Sequence, residues 1–224
     1  MDVIIWAVIF VAVFVAVMVW IVKGNRKKVA RYRDWATANG WTYTEKDDSR
    51  AGRWQVPPFD LGQRQTVTNV LEGTVAEHSV AAFEHRVVSK RGGKARTYTQ
   101  TVLTVALPSA LPSVLIASQR TPERIMFMGE VGKDYEVEWA EFNREWFIRT
   151  DDIRFTSDFI HPQLMERLMK PDAIGLSIRV EGSDLIGWYT GARDELVMIE
   201  KQLPVLLDVA RLIPGFVWKD YGRA

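Results

Sequence analysis

The sequence predicts an α+β protein: a single N-terminal transmembrane helix followed by a largely antiparallel β-sheet domain with helices in its C-terminal third. Three observations carry this reading. Val3–Val22 is an unbroken run of twenty residues drawn only from Val, Ile, Ala, Phe, Met and Trp. From Thr66 to Ala117 the chain is rich in β-branched residues punctuated by turn residues. From Arg193 to Ile213 its apolar positions recur at three and four, the period of a helix with one buried face.

The apolar run is long enough to cross a bilayer. At a rise of about 1.5 Å per residue, twenty residues span about 30 Å. In hydrocarbon every backbone amide must be paired internally, which a lone segment achieves only as a helix. Trp6 and Trp20 fall near the two ends, where indole rings favour the headgroup boundary. A cleaved signal peptide would need a basic leader and a small-x-small cleavage site. Instead Asp2 precedes the run, and Trp20-Ile21-Val22-Lys23 closes it. A buried core helix would need a polar face, and there is none. Ala12 and Ala16 form a small-xxx-small pair of the kind that packs a second helix.

Charge orients the segment. Lys23, Arg26, Lys27, Lys28, Arg31 and Arg33 follow the run and no Lys or Arg precedes it. The positive-inside rule therefore predicts a single-pass plasma-membrane protein, amino terminus outside and the C-terminal domain cytoplasmic. Those six residues are candidate membrane-surface contacts, each worth about 1 kcal/mol against anionic headgroups. The chain carries a net charge of only +1, so everything beyond this basic neck is net acidic. Such a domain is a poor match for nucleic acid. There is no Cys, which excludes disulfides, thiolate metal sites and a cysteine nucleophile.

The expected organisation is an anchor at 1–23, a basic juxtamembrane amphipathic helix at 24–40 and an α+β soluble domain at 41–224. Gly24-Asn25 is read as a break where the chain leaves the membrane. Val29, Tyr32, Trp35 and Ala36 then line one helical face, which either lies in the interface or docks on the domain. Asn39-Gly40 stops that helix. Trp41–Thr44 alternates as a short strand, and Glu45 to Gln65 reads as loop. Thr66–Ala76, Val80–Ser89 and Arg96–Leu107 are expected strands, the last two joined by a hairpin at Arg91-Gly92-Gly93-Lys94. Pro108 and Pro112 separate them from a short strand at Val114–Ala117. Arg124–Met128 and Tyr135–Trp139 are weaker candidates. Glu145–Arg149 reads as a strand, and Thr150 or Asp151 as the cap of a helix to about Ile160. His161-Pro162 opens the next helix, with Pro at its tolerated first position. Ile174–Val180 and Leu185–Tyr189 read as a hairpin about Gly182-Ser183-Asp184. The long final helix is kinked by Pro204, which deletes one backbone bond.

Phe142 to Phe155 (FNREWFIRTDDIRF), His161-Pro162-x-x-Met165-Glu166 and Ile213-Pro214-x-Phe216-Val217-Trp218 resemble an actinobacterial group of single-pass membrane proteins with no assigned activity. The likeness covers the anchor arrangement and much of the C-terminal half. It implies a bacterial plasma membrane and brings no catalytic residues.

Chemistry-bearing motifs are few. Glu77-His78 and Glu84-His85 echo each other, but residues seven apart on one strand point to opposite faces, so no metal site is expected. Asp151, Asp152 and His161 are candidate acid–base groups, with capping, helix-dipole and helix-start roles as the simpler reading. No nucleophile elbow, phosphate loop, dinucleotide fingerprint or zinc-protease motif occurs, and no cofactor is expected. Lys90, Arg91, Lys94 and Arg96 ring the glycine hairpin as candidate lipid-headgroup contacts, against the plainer reading of a solvated tip. The sequence thus points to a membrane-tethered, non-enzymatic interaction domain. Its expected partners are the bilayer, its anionic headgroups and an unidentified protein. The alternatives are a headgroup-binding module using the basic tip and an enzyme with an unrecognised site.

Overall fold

The computed structural model describes residues 2–60, 62, 64–91, 94–119 and 132–223, without the side chains of most of Val3–Val22 or of Lys90, Arg91 and Lys94. Helix α1 runs unbroken from Asp2 to Asn39. Gly24-Asn25 does not interrupt it, contrary to expectation. A mid-helix Gly costs about 1 kcal/mol, which propagation from both flanks and the docking of the C-terminal turns outweigh. That docking is plain in burial: Tyr32 and Ala36 are in the core, so the stripe packs on the domain instead of lying in an interface. The helix stops where expected. Gly40 takes φ +70°, Trp41 N donates to the Ala36 carbonyl at 2.8 Å, and Trp41 packs edge-on against Trp35, the hydrogen-bonded stop that glycine favours. Among the described residues no helix is long and apolar enough to cross a membrane; the backbone of the span expected at Val3–Val22 is helical, and most of its side chains are not described.

Among the described residues seven strands form one sheet: β1 (Thr42–Lys46), β2 (Arg64–Val75), β3 (His78–Arg91), β4 (Lys94–Ser118), β5 (Lys133–Tyr135), β6 (Trp146–Thr150) and β7 (Ser177–Thr190). Every ladder between them is antiparallel. β2 turns into β3 through Ala76 and Glu77, both at positive φ, the twist-matched two-residue turn. Arg91 pairs with Lys94 across the expected glycine hairpin.

β4 organises the sheet. It is a single strand of 25 residues, whereas the sequence suggests two pieces divided at Pro108 and Pro112. The prolines sit where the β4–β7 register already slips, between Ala106 and Leu111 and between Leu111 and Val114. A missing amide costs no ladder bond there. One edge of β4 pairs with β3 and then β6, the other with β7 along its length. β7 is likewise one continuous strand, not the expected hairpin. Gly182, at φ +57° opposite Leu111, absorbs the bend that follows β4.

Strand alternation separates two cores. Leu71, Ala82, Leu103, Ile116, Ile178 and Leu185 face the helices. Ala81, Phe83, Val102, Leu115, Ile186 and Trp188 face the other way, under a cover made of Trp54 and Phe59 from the segment between β1 and β2. On the helical side lie α2 (Ala140–Glu145), α3 (Ile153–Phe159), α4 (Pro162–Leu168), α5 (Glu195–Leu212) and α6 (Gly215–Tyr221). α5 passes through Pro204 and seats Leu206 against Gly187, where any Cβ would meet its methyls at 2.9–3.0 Å. The cap of α3 is Asp152, which accepts from Phe155 N at 2.9 Å, not Thr150 or Asp151. Thr150 instead receives the Asp152 amide through its hydroxyl at 3.0 Å. Pro162 opens α4 as expected. The expected strand at Arg124–Met128 lies outside the described residues.

Candidate functional site

Two features stand out, and different elements build them. The first joins α1 to the domain. Tyr32 and Glu195 are both fully buried at 0% exposure, and the Tyr32 hydroxyl donates to the Glu195 carboxylate. Asn69 Nδ2 donates to the other carboxylate oxygen at 3.3 Å, and Asn69 Oδ1 accepts from Tyr43 at 3.2 Å. Asn69 reaches in because it sits in a bulge of β2, with φ +56°. Two basic residues complete the joint. Lys28 Nζ lies 3.6 Å from Glu195, and Arg31 pairs with Asp194, whose carboxylate also caps α5 by accepting from Leu196 N at 3.0 Å.

The electrostatics follow from burial. Desolvation pushes the Glu195 carboxyl up, and the Tyr32 hydrogen bond and Lys28 charge only partly offset it. Tyr32 is driven well above the usual phenol range by burial and by its carboxylate partner. Burial and the carboxylates of Glu45 and Glu195 push Tyr43 up to about 12. Burial also acts to raise Asp194, but the hydrogen bond and charge of Arg31 outweigh it and hold that carboxyl low.

The second feature lies on the opposite face of the sheet. The segment after β1 crosses this face and is latched by Asp184, a β7 residue only 7% exposed. Arg53 donates to both its oxygens at 2.8 Å and Trp54 Nε1 donates at 2.9 Å. Phe59 then packs edge-on against Trp188 and His85. His85 Nδ1 lies 3.4 Å from Gln100 Oε1 and Nε2 lies 3.3 Å from Gln65 Oε1, and burial pushes its pKa down.

Beside this latch a cleft of about 310 Å³ opens between the covering segment and the far half of the sheet. Its floor is Arg179, only 2% exposed, with Ser113 and Glu181. Ser113 Oγ donates to Glu181 at 2.6 Å, and Arg179 Nη1 donates to Ser113 at 3.3 Å and lies 3.6 Å from Glu181. Arg149 closes one side, with Nη1 on Asp134 at 3.0 Å and Nη2 on the Gly132 carbonyl at 2.7 Å. Gln55, Val56, Pro57, Asp60 and Asp151 form the rim. The sequence did not single out this floor. The available signal was a charged residue alternating with apolar ones in Ile178-Arg179-Val180, which marks a strand whose two faces differ.

The nominated residues disperse. Asp152 caps α3. His161 Nε2 lies 2.8 Å from the Leu212 carbonyl, tying the start of α4 to the end of α5. Asp151 is exposed on the cleft rim. Of the basic neck, Lys28 and Arg31 are committed to the α1–α5 joint, while Lys23, Arg26, Lys27 and Arg33 are exposed. At the hairpin, Arg96 is exposed and the side chains of Lys90, Arg91 and Lys94 lie outside the description. His78 Nδ1 lies 3.0 Å from the Ala106 carbonyl, and among the described residues no three His, Asp or Glu side chains converge as a metal site.

No protein-family model and no curated protein matches the chain. Among solved structures, the fold matches the crystal structure of the mycobacterial trehalose monomycolate transport factor A, TtfA. The TM-score is 0.60 at 13% identity, over 84% of this chain and 97% of that one. At that identity the likeness is one of fold.

Proposed function

We propose that this chain is a membrane-tethered, non-enzymatic interaction domain of a bacterial plasma membrane with a lipid-related role. In this reading Val3–Val22 spans the bilayer, the amino terminus lies outside, and the α+β domain lies in the cytoplasm. One observation carries it: α1 extends without a break from the apolar run into the core of the domain, where Tyr32 is fully buried. Trp6, Phe10, Val13, Phe14 and Met18 are all exposed along that run, so the domain leaves their apolar surface for another phase to cover. Tyr32 lies ten residues past Val22, about 15 Å along the axis. That spacing holds the domain close beneath the headgroups, with Lys23, Arg26 and Lys27 between. The fold shared with a trehalose monomycolate transport factor and the motif resemblance to single-pass proteins support the same reading.

The test is alkaline extraction of membranes from cells expressing the full chain. The protein should stay in the pellet, and Phe10→Arg with Phe14→Arg should release it, since each central Arg costs about 2.5–3.5 kcal/mol of insertion. Extraction of the parent chain would contradict the tether. For the lipid role, depletion in the native host should redistribute an envelope lipid between membrane fractions; an unchanged distribution would remove that part of the reading.

A further inference from the structure

We propose that the cleft beside Arg179 binds a neutral, polyhydroxylated group: a sugar, either free or as the headgroup of a glycolipid. The inference rests on the tethered, lipid-related reading above and names the ligand chemistry of its domain. The cleft's volume of about 310 Å³ sits at the small end of ligand sites, which run from about 300 to 1,000 Å³. It suits a headgroup better than an acyl chain.

Charge balance excludes the obvious alternative. Two guanidiniums would suit phosphate, but each is matched by a carboxylate, Arg149 by Asp134 and Arg179 by Glu181. Among the described residues Asp60 and Asp151 on the rim then leave the lining net negative, which opposes an anion. A bound metal ion is no better served, for no three ligating side chains converge among the described residues.

What remains is an array suited to hydroxyls, each of which donates and accepts. The carboxylates of Asp60, Asp151 and Glu181 accept, the Gln55 amide does both, and the Ser113 hydroxyl, whose proton is on Glu181, accepts. Among the described residues no hydrogen bond engages the side chains of Gln55, Asp60 or Asp151, so their capacity is unspent. The floor is already ordered by the Ser113–Glu181–Arg179 chain, which lowers the entropy lost on binding. Val56 and Pro57 supply the apolar edge on which the C–H face of a pyranose rests.

The experiment is saturation-transfer NMR on the full chain in phosphatidylcholine nanodiscs. One arm adds methyl α-glucoside, maltose or trehalose; the other includes monoglucosyl-diacylglycerol in the nanodisc. Transfer to sugar protons in either arm supports the proposal, and the arm tells whether the source is free sugar or lipid headgroup. Asp151→Asn, at an exposed residue that holds no fold contact, should weaken binding about tenfold, because a neutral amide oxygen accepts a hydroxyl proton about half as strongly as a carboxylate does. Glu181→Gln should do the same, and Arg96→Glu at the distant hairpin should change nothing. Inorganic phosphate should not compete. Absence of transfer in both arms, equal binding by Asp151→Asn, or displacement by phosphate would each overturn the proposal. Nanodisc co-elution is read on the same samples: a chain that leaves the nanodisc defeats the tether, whereas one that stays and ignores sugar defeats only the cleft.

Discussion

The Tyr32 hydroxyl donates to a carboxylate 163 residues away, that of Glu195, and both side chains are sealed from solvent. This bond makes the last turns of α1 part of the domain's structure. The helix is clamped to the first turn of α5 by a hydrogen bond, by Lys28 and by the Arg31–Asp194 pair.

Tyr32→Phe keeps the packing and removes the donor. It should cost about 1–3 kcal/mol, the penalty for a buried carboxylate short of a partner, read by urea denaturation of the full chain in micelles. The sign of its pH dependence is fixed. The folded-state pKa of Glu195 is raised, so its contribution is full below the ordinary value of 4.5 and is lost as pH rises through the folded value. Removing Tyr32 raises that pKa further. The deficit should therefore be smaller at pH 5 than at pH 7.5.

Asp184→Ala frees Arg53 and Trp54 together. Because Arg53 is 47% exposed, the expected loss is about 1–3 kcal/mol, below that of a fully buried pair. Trypsin reads it directly: cleavage after Arg53 should accelerate about tenfold once the cover opens more often. An unchanged rate would contradict the role of Asp184 as the latch.

Asp151 and Asp152 are neighbours with different work. Asp152→Ala removes the cap of α3 and should cost about 1 kcal/mol. Asp151→Ala should leave thermal stability within about 0.5 kcal/mol of the parent. Equal costs would contradict the assignment of the cap.

His85 is buried and its pKa is lowered, so its contribution to stability is present above the ordinary value of 6.5 and is lost as pH falls through the folded value. Unfolding free energy measured from pH 7 to pH 5 should decline, and His85→Gln should flatten that decline.

Much of the fold was legible because it is written in period and punctuation. The pairing of Arg91 with Lys94, the stop at Asn39-Gly40, Pro162 at a helix start and the stripe of α5 each depend on neighbours within a few residues. The departures from local propensity share one cause. Gly24, Pro108, Pro112 and Gly182 are breakers by local propensity, yet tertiary context absorbs each of them. Gly24 sits between well-propagated helical segments, and the other three lie where β4 and β7 bend together. The cleft was illegible for a related reason. Ser113, Arg179 and Asp60 come from three separate segments, and only the strand register and the covering loop bring them together.

The most direct measurement uses the absence of cysteine. One Cys appended after Ala224 would be the sole thiol, and a membrane-impermeant maleimide reports its side. A cytoplasmic domain on a single span requires labelling only after lysis. Labelling in intact cells would contradict that topology and place the domain, with its cleft, on the outer side of the membrane.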